Sequence, residues 1–599
     1  MSKMFSKMGW IIVAVLCLSL VVFPACTGDG GGSEPIPYLH DGQFIQQTIG
    51  EVDSLDPAWG YDTASGEQTD YIYDTLLSYD QESTTDFITG LATNWTEVST
   101  TAMKFHIASG ITFHEGGNLT AEDVEYTFER ALVQDRAGGP TWMFNYPLLG
   151  KFRTRSAGNI TVTGAEIDAA VEIVDTDWVQ FNFAFEFPAI QWKQILVQSW
   201  GSILDKEWCV ANGEWDGDLS GEGWKAYNNP DKQDSYLYNH ANGTGPWKLD
   251  LWEAGEYIRL IANDDYWRGA PPFDTVITQW VDEWSSRKLT LLNGDADHVY
   301  VPRAYIGELL DIDDLLKISA LPELSNDCLF FNMNIDPESD LIGSGMLDGE
   351  GIPSDFFTDI HVRKGFSLAF DYDTYLADAL LGEGTMLGSP LVNGLAGYDP
   401  DLPKYEQDLV EAAAELDLAW GGNLTSLGFK FTMVYNSGNI PRKTACEILA
   451  EALYSINPLY QVSILPMAWP TILDNIFTET ETSKGPLPLF QIGWIADYPD
   501  ADNFITPFMF SEGDFAYFQD YGSPTVDAMI EAARFMANGP ARDAAYADIH
   551  NAYHDDPGGI MLAQPLGRRF FTKYISGFYF NPTIPGTPGP LYEMSKSES

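Results

Sequence analysis

The sequence predicts an α/β protein with more than one domain. Three observations lead there. Segments with strand and helix periodicity alternate along the whole chain instead of clustering by type. The 599 residues, 45% of them apolar, exceed what one hydrophobic core holds. No repeat of fixed short period is present, which argues against a solenoid or propeller.

In chain order, Lys3 and Lys7 precede an apolar run over 11–23. The run is shorter than the roughly 20 residues a membrane span needs, and small residues follow it, as in a secretory signal. Residues 1–25 are therefore read as a signal peptide and Gly- and Ser-containing 26–37 as a flexible tether. Phe23-Pro24-Ala25-Cys26 resembles a lipoprotein cleavage box, making Cys26 the expected lipid attachment. Cys209, Cys328 and Cys446 remain, enough for at most one internal disulfide and without zinc-site spacing.

Met103, Phe105 and Ile107 alternate with Lys104 and His106, the period of a half-buried strand. Thr120-Ala121-Glu122-Asp123 opens a helix with a capping box, and Val124, Thr127, Phe128, Ala131 and Leu132 form its apolar face. A strand pair is expected over 171–187. The polar, Trp-dotted stretch 205–240 reads as a long surface excursion. Strands follow over 257–261 and 276–281, then a helix from Lys288 stopped at Asn293-Gly294. Leu329-Phe330-Phe331 is a short strand, Val362, Phe366 and Ala369 mark an amphipathic helix, and 429–434 and 462–465 read as strands. Helices are expected over 443–453, 527–536 and 542–554.

The chain's candidate binding element is Gly493-Trp494-Ile495-Ala496-Asp497-Tyr498-Pro499. The apolar run before it delivers a Trp, an Asp and a Tyr to a strand end. A carboxylate flanked by rings suits an amine-bearing ligand. With 87 acidic against 32 basic residues, the net charge of −55 opposes binding to phosphate backbones, so no nucleic-acid partner is expected.

Enzymatic readings find little support. His550 and His554 are one helical turn apart on what reads as a helix surface, but Asn551 stands where a zinc protease needs its Glu base. Asp216-Gly217-Asp218 imitates the front of a calcium loop, yet Tyr227 occupies the position of the bidentate Glu. No cofactor, metal or catalytic residue is expected; a secreted hydrolase is the reading from a different class.

The ordered set of short motifs resembles the family 5 extracytoplasmic solute-binding proteins, the oligopeptide- and dipeptide-binding receptors of ABC transporters. The set comprises Ser54-Leu55-Asp56-Pro57, Phe113-His114-Glu115-Gly116, Gly243-Thr244-Gly245-Pro246-Trp247, Tyr266-Trp267-Arg268-Gly269, Gly294-Asp295-Ala296-Asp297, Val362-Arg363-Lys364-Gly365 and Gly493-Trp494. The resemblance implies a two-lobed periplasmic-binding-protein-like fold (type II, cluster C) with an extra domain inserted in the first lobe. It places lobe I at 38–78, 241–325 and 575–599, the extra domain at 79–240 and lobe II at 326–574. It implies that Asp497 pairs with a peptide's amino terminus, that Trp494 and Tyr498 wall the cleft, and that Arg442 takes the carboxylate. Gln491 stands where some oligopeptide binders have a basic residue. The implied partners are a short peptide, the membrane subunits of an ABC permease, and the outer face of the membrane through the lipid. The receptor itself is expected to be an extracytoplasmic monomer. An oligosaccharide is the alternative ligand.

Overall fold

The computed structural model describes residues 35–598 except 157, 479–482 and 585–588. The expected signal peptide and Cys26 lie outside the described residues. Residues 36–599 form one compact unit.

Two large mixed sheets organise that unit. The first runs in the order Trp247–Glu253, Tyr257–Ala262, Thr275–Trp280, Gln43–Thr48, His298–Val299, Gly567–Thr572, Leu315–Leu321. The second runs Gly384–Met386, Gly559–Pro565, Ser325–Phe331, Leu489–Ile495, Phe429–Asn436, Tyr460–Met467. Between the first strand and Trp247 the chain builds a separate four-stranded antiparallel sheet from Ala92–Ser99, Ala102–Ile107, Trp178–Asn182 and Val171–Asp175. Helix Ala121–Gln134 covers it, started by reciprocal bonds between Thr120 and Asp123.

The chain passes between the two large sheets at 322–324 and again at 566. The passages lie side by side, since Leu321 pairs with Gly567 on one flank and Asp327 with Ala563 on the other. Gly567 permits this approach, because a Cβ there would sit 2.3 Å from a Glu323 carboxylate oxygen. The strand Gly567–Thr572 thus belongs to the first sheet, so the second crossing lies upstream of the expected boundary at 574. Two short, adjacent connections between packed lobes are the form a hinge takes.

The segment 205–240 runs over the surface for much of its length and is anchored at a few points: Trp215 and Trp224 are fully buried, and Glu214 is buried beside them. Its acid meets Arg130, whose guanidinium also takes Asp56 through Nη1 (2.9 Å) and Nη2 (2.6 Å). Lys232 from the same segment bridges Asp53 at 2.7 Å and Asp474 at 2.8 Å. Tryptophan surface anchors the segment at these points, and the buried charges there are paired. Cys209, Cys328 and Cys446 are buried free thiols. No helix among the described residues is long and apolar enough to cross a membrane.

Candidate functional site

The strand Leu489–Ile495 lies between Ser325–Phe331 and Phe429–Asn436 in the second sheet. Its pairing with Phe429–Asn436 covers only Leu489 and Phe490, whereas its other edge is paired from Leu489 to Ile495. Beyond Phe490 the strand therefore has an edge without a strand partner among the described residues. Gly493 sits on this stretch. A Cβ there would lie 2.7 Å from the Asn326 carbonyl and 3.0 Å from an Asp327 carboxylate oxygen, so any larger residue would displace its neighbours.

Past the strand end, Asp497 is 6% exposed and held from several sides. Its Oδ2 accepts from the Tyr61 hydroxyl at 2.8 Å and from Asn503 Nδ2 at 2.7 Å. Asn503 Oδ1 in turn accepts from the Asp497 amide (2.8 Å) and Trp494 Nε1 (3.2 Å), which fixes the acid and the indole together. Gln198 Nε2 donates to the Asp497 carbonyl at 2.7 Å and to that of Thr583 at 2.9 Å. No lysine or arginine pairs with Asp497 among the described residues. Burial pushes its carboxyl up to about 7; the bonds from Asn503 and Tyr61 oppose this, and nearby Asp514 adds to it. Tyr61 comes from the turn before helix Thr63–Ile72, so the contact ties the segment after the first strand to the second lobe.

Asp497, Tyr61, Gln198 and Trp494 line a cavity of about 370 Å³. Trp494, Trp200 and Tyr61 form an aromatic corner: the Tyr61 ring meets Trp200 edge-on at 5.4 Å and Trp494 at 5.7 Å. Trp469 closes another side and donates to Asp62 at 3.2 Å. Arg442, in the first turn of helix Ile440–Ile456, lies 5.5 Å from the Trp469 ring and donates to Asn436 at 2.9 Å. No carboxylate lies within ion-pair distance of Arg442 among the described residues. Arg442 also lines a second cavity of about 350 Å³, which shares Thr63, Tyr300, Glu323, Asp327 and Trp469 with the first. The two are chambers of one cleft.

Asp497, Trp494 and Arg442 thus line one cleft, and Tyr498 does not. Tyr498 is 2% exposed and its hydroxyl donates to Asp502, which also takes Arg534 at 2.7 Å. The expectation that it walls the cleft is corrected: the turn at Pro499 sends its ring inward to a structural ion pair. Gln491 is buried and lines neither chamber. His550 is buried, not on the surface, with its ring nitrogens engaged by Ser389 (2.9 Å) and the Pro403 carbonyl (2.7 Å). In the calcium-like stretch, Asp218 caps the Ser220 amide at 2.8 Å.

Residues that sequence reasoning missed include Tyr61, Gln198, Trp200 and the arginines of the second chamber. Only one signal pointed to any of them: Arg568-Arg569 is the sole adjacent arginine pair in this acidic chain.

A two-lobed α/β fold with a cleft between its sheets is the class this geometry defines. The family described as bacterial extracellular solute-binding proteins, family 5, matches residues 86–516, and the chain belongs to that family. It is 22% identical over 595 residues to the oligopeptide-binding protein AppA of Bacillus subtilis, covering 96% of this chain and 97% of AppA. Among solved structures, the periplasmic binding protein DppA of Helicobacter pylori in complex with the peptide STSA superposes with TM-score 0.72 at 21% identity, covering 93% and 98% of the two chains. Bacillus subtilis AppA in complex with a nonapeptide also gives 0.72, at 20% identity, covering 94% and 100%.

Proposed function

We propose that this chain captures short peptides by their free amino end and delivers them to the membrane subunits of an ABC permease. The observation that carries the reading is Asp497, a buried carboxylate with neutral donors around it and no cation among the described residues, on the wall of an aromatic cleft. An arriving ammonium supplies the missing charge, and a neutral solute gains nothing there. The unpaired edge beyond Phe490 supports main-chain recognition of the ligand as an added strand, which is indifferent to side-chain identity. Arg442 serves the peptide's carboxylate.

The adjacent passages at 322–324 and 566 act as the hinge, and the closed form is favoured by the ligand's differential affinity for it. The receptor works as an extracytoplasmic monomer held to the membrane through Cys26. Its similarity to AppA and DppA supports this reading. Mass spectrometry of small molecules released on unfolding the purified protein tests it. Short peptides of mixed sequence are expected; an oligosaccharide or a single non-amine solute overturns the reading.

A further inference from the structure

The second chamber is unusual for this protein. It gathers Arg303, Arg442, Arg568 and Arg569, four of only 32 basic residues in a chain of net charge −55. Four acids stand beside these four arginines, Glu383, Glu323, Asp327 and Glu67, but they are unevenly used. Arg303 (2.8 Å) and Arg568 share the single acid Glu383. Arg569 pairs with Glu323 at 3.3 Å, and its buried Nε has no hydrogen-bond partner. Among the described residues Arg442 has no ion pair within 4 Å, and the buried Asp327 carboxyl interacts with it at longer range. Glu67, hydrogen-bonded to Gln46, is the other acid on the wall. The first turn of helix Ile440–Ile456 adds its positive end through Asn439 and Pro441.

A single terminal carboxylate is satisfied by Arg442 alone. We propose that the second chamber is a selectivity site for a further anionic group, so that the preferred ligands are peptides ending in Glu or Asp. This rests on the peptide reading and deepens it. The placement fits: Arg442 Nη2 lies 3.6 Å from the Cβ position of Gly493, and Arg442 lines both chambers, so a carboxyl end held there adjoins the arginine-lined one. An acidic side chain at the carboxyl end then enters the arginine-lined chamber, where guanidinium groups offer it paired donors.

The test is titration calorimetry on the full chain with matched peptides, Ala-Ala-Glu against Ala-Ala-Gln and the tetrapeptides one alanine longer. The acidic member of a pair is expected to bind at least tenfold tighter, and Arg568→Gln or Arg303→Gln to shrink that ratio to under threefold. Equal affinity of the wild-type protein for both members overturns the selectivity site and leaves the peptide reading standing. Failure of every peptide to bind overturns both. A preference that survives in both folded variants also overturns the assignment to this chamber.

Discussion

Replacing Asp497 by Asn removes one charge and almost nothing else. Oδ2 accepts from both Tyr61 and Asn503, so an asparagine oxygen in that position keeps both bonds. What changes is the interaction with the ligand's ammonium. Truncating one side of a buried, hydrogen-bonded charge pair costs about 2–5 kcal/mol. That is roughly a 30-fold to several-thousand-fold loss of affinity. The wild-type site also carries its own pH signature. With its carboxyl pushed up to about 7, empty Asp497 is protonated below that pH and must release its proton to pair with an ammonium. Affinity for a free-amine tripeptide should therefore fall about tenfold per pH unit below 7, with proton release on binding, while Asp497→Asn binds weakly with no such slope. Stability moves the other way. A carboxyl whose folded pKa lies above its unfolded value of about 3.9 loses stability as pH rises between the two, and the loss is complete above pH 7. The asparagine variant escapes that loss and should melt higher than wild type at pH 8. Calorimetric titration at pH 5.5 and 8 in buffers of different ionisation enthalpy, with thermal melts alongside, reads all three effects. Peptide affinity within threefold of wild type at pH 8 would refute the amine-anchor reasoning.

Two further outcomes follow from other charges. Arg442→Met should weaken free-acid peptides by about 1.5–3 kcal/mol, roughly ten- to hundredfold, and leave their amidated counterparts nearly untouched; equal losses for both would remove it from the carboxylate role. Arg130→Met strands Asp56 and Glu214 in the core, and denaturant unfolding should show a loss of about 3–5 kcal/mol; a change under 1 kcal/mol would mean that the two acids find other partners.

The parts of the fold that were legible in the sequence are those where burial follows a simple period. The strand at Met103, Phe105 and Ile107 alternates buried and half-exposed residues, and the capping box at Thr120 and Asp123 is closed within four residues, so local pattern suffices. The first strand, Gln43–Thr48, was missed for the opposite reason. It is central in its sheet, and Gln46 and Gln47 are buried there, bonded to Thr278 and Gln279 at 2.8 Å each. Two buried glutamines look like surface until the partners more than 230 residues away are known. The cleft shows the same division. Asp497, Trp494 and Arg442 stood in local motifs, but the outward or inward aim of Tyr498 depends on Asp502 and Arg534. Nothing in the sequence joins Tyr61 or Arg303 to positions hundreds of residues downstream.

The cleft carries groups of opposite charge at two points, and this links stability to function. Some of the buried charge outside it is paired, as Arg130 is by Asp56 and Glu214. At Asp497 the fold supplies hydrogen-bond donors but, among the described residues, no cation, and in the second chamber it gathers four guanidinium groups, two of which share one acid. A receptor saturated by its own side chains would be more stable and would have nothing to offer a zwitterion. If the lobes close about 322–324 and 566 as proposed, a ligand that pairs with Asp497 at one point and with the guanidinium groups at the other would favour the closed form. Tyr61 makes the coupling direct, since its hydroxyl reaches across to the acid that the ligand would complete.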